Sequence, residues 1–374
     1  MIGQLADALV RAMWSSHRCS RGSGQSFGSA GAAGLTVPGW SVRPSWRSPH
    51  SYDWRGTAVK AFADRARDPA VRGLRAFFLA LANRPALGQL GARLPLTRAL
   101  VRRFIAGETL QEAIATLAKL RRAGFHTTID LLGELTQTTE GIAETRASYV
   151  EAIRALAAAG LDVNVSLKPS QFGIQTDPGL SLQSISEVAT AAGKEGFVRL
   201  DMEDHRLTQP TLDLAADLRR RSPNVGVVLQ AYLRRTADDL EPLIREGVRV
   251  RLCKGAYNEP HAIAFASKAE VDASYERLML RLLEKGNYPA LATHDPALIE
   301  KACTYARERA IDPSRFEFQM LLGIRPDLQA SLARSGYTVR VYVPYGADWY
   351  PYFMRRLAER PANVAFILRN LWPN

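Results

Sequence analysis

Cysteine is scarce in this chain, which has three among 374 residues: Cys19, Cys253 and Cys303. Three widely separated thiols cannot form the dense disulfide framework of a small secreted protein. No Cys/His cluster has the spacing of a zinc site, so we expect no metal centre. The cysteine content therefore favours a reduced, cytoplasmic protein.

Long apolar runs and glycine-rich phosphate-binding turns are missing as well. No stretch of about 18 uninterrupted apolar residues occurs, so the sequence predicts no membrane-spanning helix. There is no Walker pattern, and the first predicted strand is not followed by a G-x-G-x-x-G turn, because Leu132 runs into Gly133, Glu134 and Leu135. These absences argue against a P-loop nucleotidase and against a Rossmann dehydrogenase.

Acidic residues are scarce only near the N-terminus. Residues 1–60 carry 7 Lys/Arg against 2 Asp/Glu, and residues 61–125 carry 12 against 4. The rest of the chain has a net charge of −1 within the total of +12. A nucleic-acid-binding fold would spread its basic excess over the folded domain. We therefore expect no nucleic-acid partner, whereas the basic N-terminal segment is compatible with peripheral contact with a membrane.

Residues 1–58 have the composition of a disordered basic tail. From Ser15 to about Ser51, Ser, Gly, Arg and Pro dominate, and neither a helical nor a strand period survives. Three explanations stay open: a membrane-interface arm, a targeting peptide, or a start assigned too far upstream, which would make the tail a non-native extension. We favour the third. The tail is nevertheless rich in tryptophan, with Trp14, Trp40, Trp46 and Trp54 in or beside it.

Helical periodicity begins near Val59 and predicts an N-terminal helical arm over residues 59–124. Within this arm, Thr109 begins a helix that ends at Gly124. Residues 125–374 then form one domain in which apolar stretches alternate with helical segments. The predicted strands are Thr127–Leu132, Val163–Leu167, Phe197–Leu200, Val225–Leu229, Val248–Cys253, Ala290–Ala292, Phe316–Leu321 and Tyr337–Val343.

Continuous apolar strands alternating with helices indicate parallel strands that are buried on both faces. Eight such units predict an α/β fold, a distorted (βα)8 TIM-like barrel. An open doubly wound sheet is the alternative.

In such a barrel, catalytic groups gather at the C-terminal ends of the strands. Polar or ionisable residues follow nearly every predicted strand here. They are Glu134, Lys168, Asp201 with Glu203 and Asp204, Gln230 with Tyr232, Lys254 with Tyr257, Thr293 with His294 and Asp295, Gln319, and Tyr342 with Tyr345. One such residue would be an ordinary solvated strand end, whereas a full ring predicts a polar active-site mouth.

Single residues of this ring admit more than one interpretation. Lys168 or Lys254 could form a Schiff base with a carbonyl substrate, as in barrel aldolases, or pair with Asp201 or a cofactor phosphate. His294 could cap the following helix. Cys253 has no base partner in the sequence, so core packing is its expected role.

The segment Tyr342–Glu359 joins the last strand to a helix by a turn at Pro344 and Gly346. On that helix, residues three or four apart bring an aromatic ring, two guanidinium groups and a carboxylate to one face. Adjacent arginines beside an aromatic ring are suited to a carboxylate or a phosphate. The four residues are Tyr352, Arg355, Arg356 and Glu359.

Eight short motifs occur along these strand ends and the final helix. They are Asp130-Leu-Leu-Gly-Glu134, Ser166-Leu-Lys168, Leu200-Asp201-Met-Glu203, Leu229-Gln230-Ala-Tyr232, Arg251-Leu-Cys-Lys254-Gly-Ala-Tyr257, Ala292-Thr293-His294, Glu317-Phe-Gln319-Met-Leu321 and Tyr352-Phe-Met-Arg355-Arg356-Leu-Ala-Glu359. Together they resemble the FAD-dependent proline dehydrogenases, from about Leu74 to the C-terminus. Because the chain ends about fifteen residues after Glu359, the resemblance is to the monofunctional bacterial type, without an aldehyde dehydrogenase domain.

The resemblance implies a barrel that binds FAD non-covalently and oxidises L-proline to Δ1-pyrroline-5-carboxylate, the first step of proline catabolism to glutamate. A hydride would pass from proline C5 to flavin N5, and the electrons would go to a membrane quinone. A separate pyrroline-5-carboxylate dehydrogenase would take the product. The enzyme would be cytoplasmic, with peripheral contact at the inner membrane. Hydroxyproline stays open as a substrate, and a Schiff-base aldolase is the alternative from another class.

The resemblance also assigns a substrate site. Arg355 and Arg356 would grip the proline carboxylate, and Lys168 would pair with Asp201. Glu134 would meet Arg355 as a gate over the bound substrate. The implied substrate-binding residues are Lys168, Arg355, Arg356, Tyr342, Tyr352, Leu321 and Glu134, and the implied catalytic residues are Asp201, Arg251 and Lys168.

A flavin site follows from the same motifs. Arg251 would lie at the reactive edge of the isoalloxazine, where a positive charge stabilises the anionic reduced form. Gly255 would let the backbone approach the cofactor closely. The implied FAD-binding residues are Met202, Gln230, Arg251, Lys254, Gly255, Ala256, Thr293, His294, Gln319 and Glu359.

Overall fold

The computed structural model of this chain describes residues 101–133 and 135–359, with residues 355–359 described by their backbone alone. The predicted tail over residues 1–58 and most of the predicted helical arm lie outside the described residues. The part of the arm that is described confirms the helix begun by Thr109. The Thr109 hydroxyl accepts a hydrogen bond from the Glu112 backbone N–H, and the Glu112 side chain accepts one from the Thr109 backbone N–H. The two bonds form a capping box.

Eight parallel strands form a closed barrel in chain order. The strands are β1 (His126–Leu131), β2 (Asn164–Leu167), β3 (Phe197–Leu200), β4 (Val225–Gln230), β5 (Val250–Cys253), β6 (Ala290–Ala292), β7 (Glu317–Leu321) and β8 (Thr338–Tyr345). Closure is made by β8 against β1, paired from His126 with Arg340 to Leu131 with Tyr345. The predicted barrel is therefore confirmed, and every strand lies within two residues of its predicted bounds.

Helices surround the barrel, one before β1 and one after each strand. In the described part of the chain they are α1 (Leu110–Arg122), α2 (Thr139–Ala158), α3 (Pro178–Ala192), α4 (His205–Arg219), α5 (Thr236–Arg245), α6 (Lys268–Lys285), α7 (Pro296–Glu308), α8 (Pro326–Arg334) and α9 (Trp349–Glu359). Short 3-10 turns lie at Pro169–Phe172 and Pro313–Arg315. Among the described helices, none has both the length and the apolar character needed to cross a membrane.

The apolar core lies between the strands and the helices, whereas the barrel lumen is polar. Along β7, Phe318 and Met320 are almost fully buried in the main core cluster. Glu317 and Gln319 alternate with them and are equally buried, at 2% and 4% exposure, but they bond to polar side chains of other strands. Since successive strand residues point to opposite faces, the charged residues of the strands face inward.

A second apolar cluster covers part of the C-terminal end of the barrel. Phe353 and Trp349 of α9 pack in it with Phe104 and Ile105, and Leu132 after β1 joins them. The turn before α9 uses Gly346, whose φ of +131° favours glycine. Pro344, predicted at this turn, lies instead inside β8. The cluster places α9 over the strand ends where the predicted site residues gather.

Candidate active site

Four strands bring polar side chains together around Asp201, which follows β3. Its Oδ1 accepts hydrogen bonds from Arg251 Nη1 at 2.7 Å and from Ser166 Oγ at 2.6 Å. Its Oδ2 accepts one from the Tyr342 hydroxyl at 2.9 Å. Burial raises the pKa of Tyr342 well above its usual value, helped by nearby carboxylates, so its hydroxyl stays a donor. Three predicted site residues therefore meet in one cluster: Asp201 and Tyr342, predicted from strand ends, and Arg251, implied by the resemblance.

Arg251 is held on three sides in this cluster. Its Nε donates to Gln319 Oε1 at 2.5 Å, its Nη1 to Asp201 and to Ser166 at 3.0 Å, and its guanidinium lies 5.2 Å from the centre of the Tyr342 ring. Its Nη2 is buried and has no hydrogen-bond partner among the described residues. A buried donor left unpaired costs about 1–3 kcal/mol, and more on a charged group. An acceptor on a bound molecule would satisfy it.

Lys168 lies beside this cluster, and its salt bridge goes to Asp130 of β1. Its Nζ is 2.7 Å and 2.9 Å from the two Asp130 oxygens, and the Asp130 side chain is 1% exposed. The prediction that Lys168 pairs with Asp201 is therefore wrong. β1 and β2 are neighbours with Asp130 opposite Ser166, so the lysine two residues later reaches Asp130, while Asp201 already accepts three hydrogen bonds.

The lysine of the Lys168–Asp130 pair is protonated. Burial lowers the pKa of Lys168, but the charges of Asp130 and Asp201 outweigh it and hold this pKa above its ordinary value. Burial raises the pKa of Asp130, which Lys168 opposes and Asp201 reinforces. At neutral pH, Lys168 is thus an ammonium group, suited to bind an anion and unsuited to attack a carbonyl.

Glu203, just after β3, fastens the loop that follows Lys168. It accepts hydrogen bonds from the Ser170 backbone at 3.0 Å and from the Ser170 hydroxyl at 2.5 Å. Its own backbone carbonyl accepts from Gln230 Nε2 at 2.7 Å. Burial raises the pKa of Glu203, although the Ser170 bonds oppose this. Gln230, predicted to bind a cofactor, therefore braces the β3 loop with its amide nitrogen.

Lys254, after β5, lies between two carboxylates. Its Nζ is 2.5 Å from Asp272 and 2.9 Å from Asp295. Asp295 also caps α7, so the interpretation of His294 as that cap is wrong. The Nε2 atom of His294 instead accepts the backbone N–H of Leu321 at 2.9 Å, which ties the end of β6 to the end of β7.

The backbone after β5 requires glycine. Gly255 has a φ of +110°, and a Cβ there would lie 2.2 Å from the Tyr232 ring. Ala256 follows and is exposed, while Met202 and Thr293 are buried at 7% and 5% exposure. The strand ends predicted to meet a cofactor thus include buried side chains and one close-approach backbone position.

The remaining predicted substrate residues fall around α9. Leu321 and Tyr352 both pack against the apolar cluster at the barrel mouth and are partly exposed. The prediction that Glu134 meets Arg355 as a gate lies outside the described residues. The other predicted contacts whose side chains lie outside the described residues are Arg355, Arg356 and Glu359.

Sequence reasoning gave no role to Asp130 or Ser166, and none to Glu203 beyond its place in the strand-end ring, although each stands in a quoted motif. A signal was available for Asp130, since a carboxylate inside a buried strand needs a partner. No comparable signal marks Ser166, because serine is common in strands. Within the described residues, no group of three or more His, Cys, Asp or Glu side chains could hold a metal ion.

Comparisons with known proteins agree with this geometry. The family described as proline dehydrogenase matches residues 113–369. Proline dehydrogenase 1 of Bacillus subtilis subsp. natto is 40% identical over 299 residues, which cover 80% of this chain and 99% of that protein. The proline dehydrogenase of Deinococcus radiodurans is 41% identical over 299 residues, which cover 78% of this chain and 96% of that protein.

Solved structures show the same fold within larger chains. Proline utilization A (PutA) of Bdellovibrio bacteriovorus, inactivated by N-propargylglycine, matches with a TM-score of 0.66 at 28% identity. PutA of Corynebacterium freiburgense matches with a TM-score of 0.62 at 21% identity, which supports the fold alone. The matches cover 71% and 81% of this chain, but 33% and 34% of those chains, so this chain spans about a third of their length.

The resemblance in the strand-end motifs is thus confirmed by relatives matched over nearly their whole length. With the family match over residues 113–369, they show that this chain belongs to the proline dehydrogenase family and is an oxidoreductase of proline catabolism.

Proposed function

We propose that this enzyme oxidises L-proline to Δ1-pyrroline-5-carboxylate with non-covalently bound FAD. The observation that carries the proposal is Arg251, a buried guanidinium that is fixed on three sides and has one unpaired donor at the barrel mouth. Such a donor fits the acceptor edge of a flavin, where positive charge favours the reduced form. Bound FAD would supply the acceptor for the hydride that leaves proline C5, and a membrane quinone would receive the electrons.

The residues present fit that cofactor. Gly255 lets the backbone after β5 pack against the Tyr232 ring, a close approach that any Cβ would prevent, and this strand end would form one edge of the cofactor site. Lys254 offers a positive charge to a phosphate, and its ammonium group would then be shared between that phosphate and Asp272 or Asp295. The side chains that would complete the site are Met202, Gln230, Ala256, Thr293, His294, Gln319 and Glu359.

Near the proposed proline site, the positive charge of Lys168 is already neutralised by Asp130. The site therefore adds no uncompensated positive charge near the substrate nitrogen. This matters because the nitrogen lone pair must be free to form the C5=N bond as the hydride leaves. Tyr342, Tyr352 and Leu321 would pack the ring.

The proline carboxylate would lie against two guanidinium groups on α9. Arg355 and Arg356 follow one another on this helix and together offer bidentate donors, which is the geometry that carboxylates prefer. Glu134 would then meet Arg355 as a gate over the bound proline. In this arrangement the carboxylate is held at one end of the site and C5 is left free to face the flavin.

The lysine-based aldolase is disfavoured by the same geometry. A Schiff base requires a neutral amine, but the carboxylates around Lys168 keep its pKa high. Lys254 is enclosed by Asp272 and Asp295. Lys168 is therefore unsuited to form a Schiff base, and the ammonium group of Lys254 is already engaged by two carboxylates.

We place the enzyme in the cytoplasm, in peripheral contact with the inner membrane that holds the quinone. A separate pyrroline-5-carboxylate dehydrogenase is the proposed consumer of the product, which is an electrophilic imine that must be oxidised further to reach glutamate.

L-Proline carrying two deuterium atoms at C5 tests the proposed hydride donor. Its reduction of the enzyme should be slowed several-fold, because the C5–H bond breaks in that step, while proline deuterated at C2 should react at the ordinary rate. Rapid-mixing absorbance under anaerobic conditions measures this step alone. Turnover with a quinone in liposomes then tests the acceptor. Equal rates for the two labelled prolines would contradict hydride transfer from C5.

A further inference from the structure

Beneath Arg251, a chain of buried polar side chains runs down the barrel lumen. Arg251 Nε donates to Gln319 Oε1 at 2.5 Å, and Gln319 Nε2 donates to Glu317 Oε1 at 2.5 Å. Arg340 Nε donates to both Glu317 oxygens at 3.0 Å. All four residues are at most 7% exposed, so water cannot replace any partner in this chain.

The charge of Glu317 is fixed. Burial raises its pKa, but the charge of Arg340 and the hydrogen bonds from Arg340 and Gln319 outweigh burial and bring the pKa to about 2. At any working pH, Glu317 is therefore a carboxylate, which can only accept hydrogen bonds.

This fixed charge determines how the Gln319 amide is turned. The guanidinium of Arg251 can only donate, and the carboxylate of Glu317 can only accept. An amide between them satisfies both in one orientation, with its nitrogen toward Glu317 and its oxygen toward Arg251. The opposite orientation would set N–H against N–H on one side and oxygen against oxygen on the other.

The orientation of Gln319 in turn fixes the guanidinium plane of Arg251. The bond from Nε to Gln319 and the bond from Nη1 to Asp201 lie on opposite sides of that group. Two such hydrogen bonds prevent the planar guanidinium group from rotating. They therefore decide where the unpaired Nη2 points.

We propose that Glu317 is a positioning residue for the reaction, acting through Gln319 to set the direction of Arg251 Nη2. The hydrogen bonds that link Glu317, Gln319 and Arg251 and the charge of Glu317 do not depend on any bound molecule. The positioning role rests on the proposed function only in naming a flavin as the group that Nη2 meets.

Glu317→Gln removes the charge while keeping the shape. Position 317 then no longer holds the Gln319 amide in one orientation, because Arg340 donates to both Glu317 oxygens and an amide there can turn either its oxygen or its nitrogen to Gln319. Where the nitrogen at position 317 faces Gln319, the Gln319 amide flips and presents its own nitrogen to Arg251. We expect a lower kcat with little change in the KM for L-proline, because a donor that is misdirected in part of the molecules loses transition-state stabilisation. The midpoint potential of the bound flavin should shift as well.

The charge-swapped double variant, Glu317→Gln with Gln319→Glu, provides a rescue. The amide at position 317 then donates to the carboxylate at position 319, which accepts from Arg251 as the native Gln319 does. Arg340 keeps an acceptor, and the net charge of the chain is unchanged. We expect recovery of most of the lost kcat, which a loss of core packing alone would not allow.

Asp162→Asn is the matched control, since it makes the same chemical change on the far side of Arg340. Asp162 Oδ2 lies 3.3 Å from Arg340 Nη1 and does not touch Gln319. We expect wild-type kcat and flavin potential, with at most a lower melting temperature. Melting temperatures of the apoproteins and FAD content separate folding from positioning in all variants.

The outcomes are distinguishable. A wild-type protein that takes up no FAD would count against the proposed function. If the wild type binds FAD and Glu317→Gln has wild-type kcat and potential, the positioning role is wrong. The role is also wrong if the double variant is as slow as the single one, or if Asp162→Asn is as slow as Glu317→Gln.

Discussion

Replacing Asp201 with asparagine should lower kcat/KM for L-proline by about 10²- to 10³-fold. Asp201 accepts three hydrogen bonds and supplies the only carboxylate within salt-bridge distance of Arg251 among the described residues. Asparagine has the same size as aspartate but carries no charge. Its amide nitrogen would point N–H donors toward side chains that donate to Asp201 in the native enzyme. Breaking a buried pair of this kind costs about 3–5 kcal/mol, and each 1.4 kcal/mol is a factor of ten in rate.

Ser166→Ala is the matched control for that variant. It removes the hydrogen bond that Ser166 donates to the same Asp201 oxygen and the one that Ser166 accepts from Arg251 Nη1, without altering the charge of the cluster. A hydrogen bond to a charged group contributes about 1.5–3 kcal/mol, so the rate should fall by about 10- to 10²-fold, which is less than for Asp201→Asn. Steady-state kinetics with FAD content measured in parallel make the comparison. If the two variants lose the same activity, the charge of Asp201 is not what holds Arg251 in place.

Replacing Lys168 with methionine should destabilise the fold by about 3–5 kcal/mol at pH 8, because it leaves the Asp130 carboxylate buried without its cation. Asp130 would then have a pKa raised by burial with no lysine to oppose the shift. A carboxyl whose folded pKa is raised gives stability in acid, which is lost as the pH rises through that pKa. The deficit should therefore be smaller at pH 5 than at pH 8, as measured from urea midpoints.

The double variant Asp130→Asn with Lys168→Met separates stability from binding. It removes both charges, so most of the unfolding free energy should return, and its pH dependence should flatten. The KM for L-proline should be raised in both the single and the double variant, because both lack the proposed positive charge of Lys168 beside the substrate. A Lys168→Met protein as stable as wild type at pH 8 would show that Asp130 is neutral in the native enzyme and that the pair is not ionic.

The strands were predictable because their pattern is local. Three to eight apolar or alternating residues between turn signals define each strand, and eight repeats of strand and helix leave few closed arrangements. The ring of polar residues also follows from this, since a parallel barrel brings all strand ends to one rim. Asp201 and Tyr342 meet for that reason, although they are far apart in sequence. Arg251 lies inside β5 and was assigned to the site only by the resemblance.

The partners within the ring were not predictable in the same way. Whether Lys168 reaches Asp130 or Asp201 depends on the stagger of neighbouring strands, which the hydrophobic pattern does not specify. The polar lumen was detectable in the sequence as charged residues within the predicted strands. Arg199, Glu317 and Arg340 are charged residues within otherwise apolar strands, and buried charges require one another. Reading them together would have predicted the chain beneath Arg251.

The central claim is that this enzyme binds FAD and transfers electrons to it from L-proline. An anaerobic absorbance spectrum of the purified protein, taken before and after addition of L-proline, tests it most directly. The proposed function predicts a flavin spectrum that bleaches on addition of L-proline, with one flavin per chain. A protein that shows no flavin even after reconstitution with FAD, or a flavin that L-proline leaves oxidised, would contradict the account.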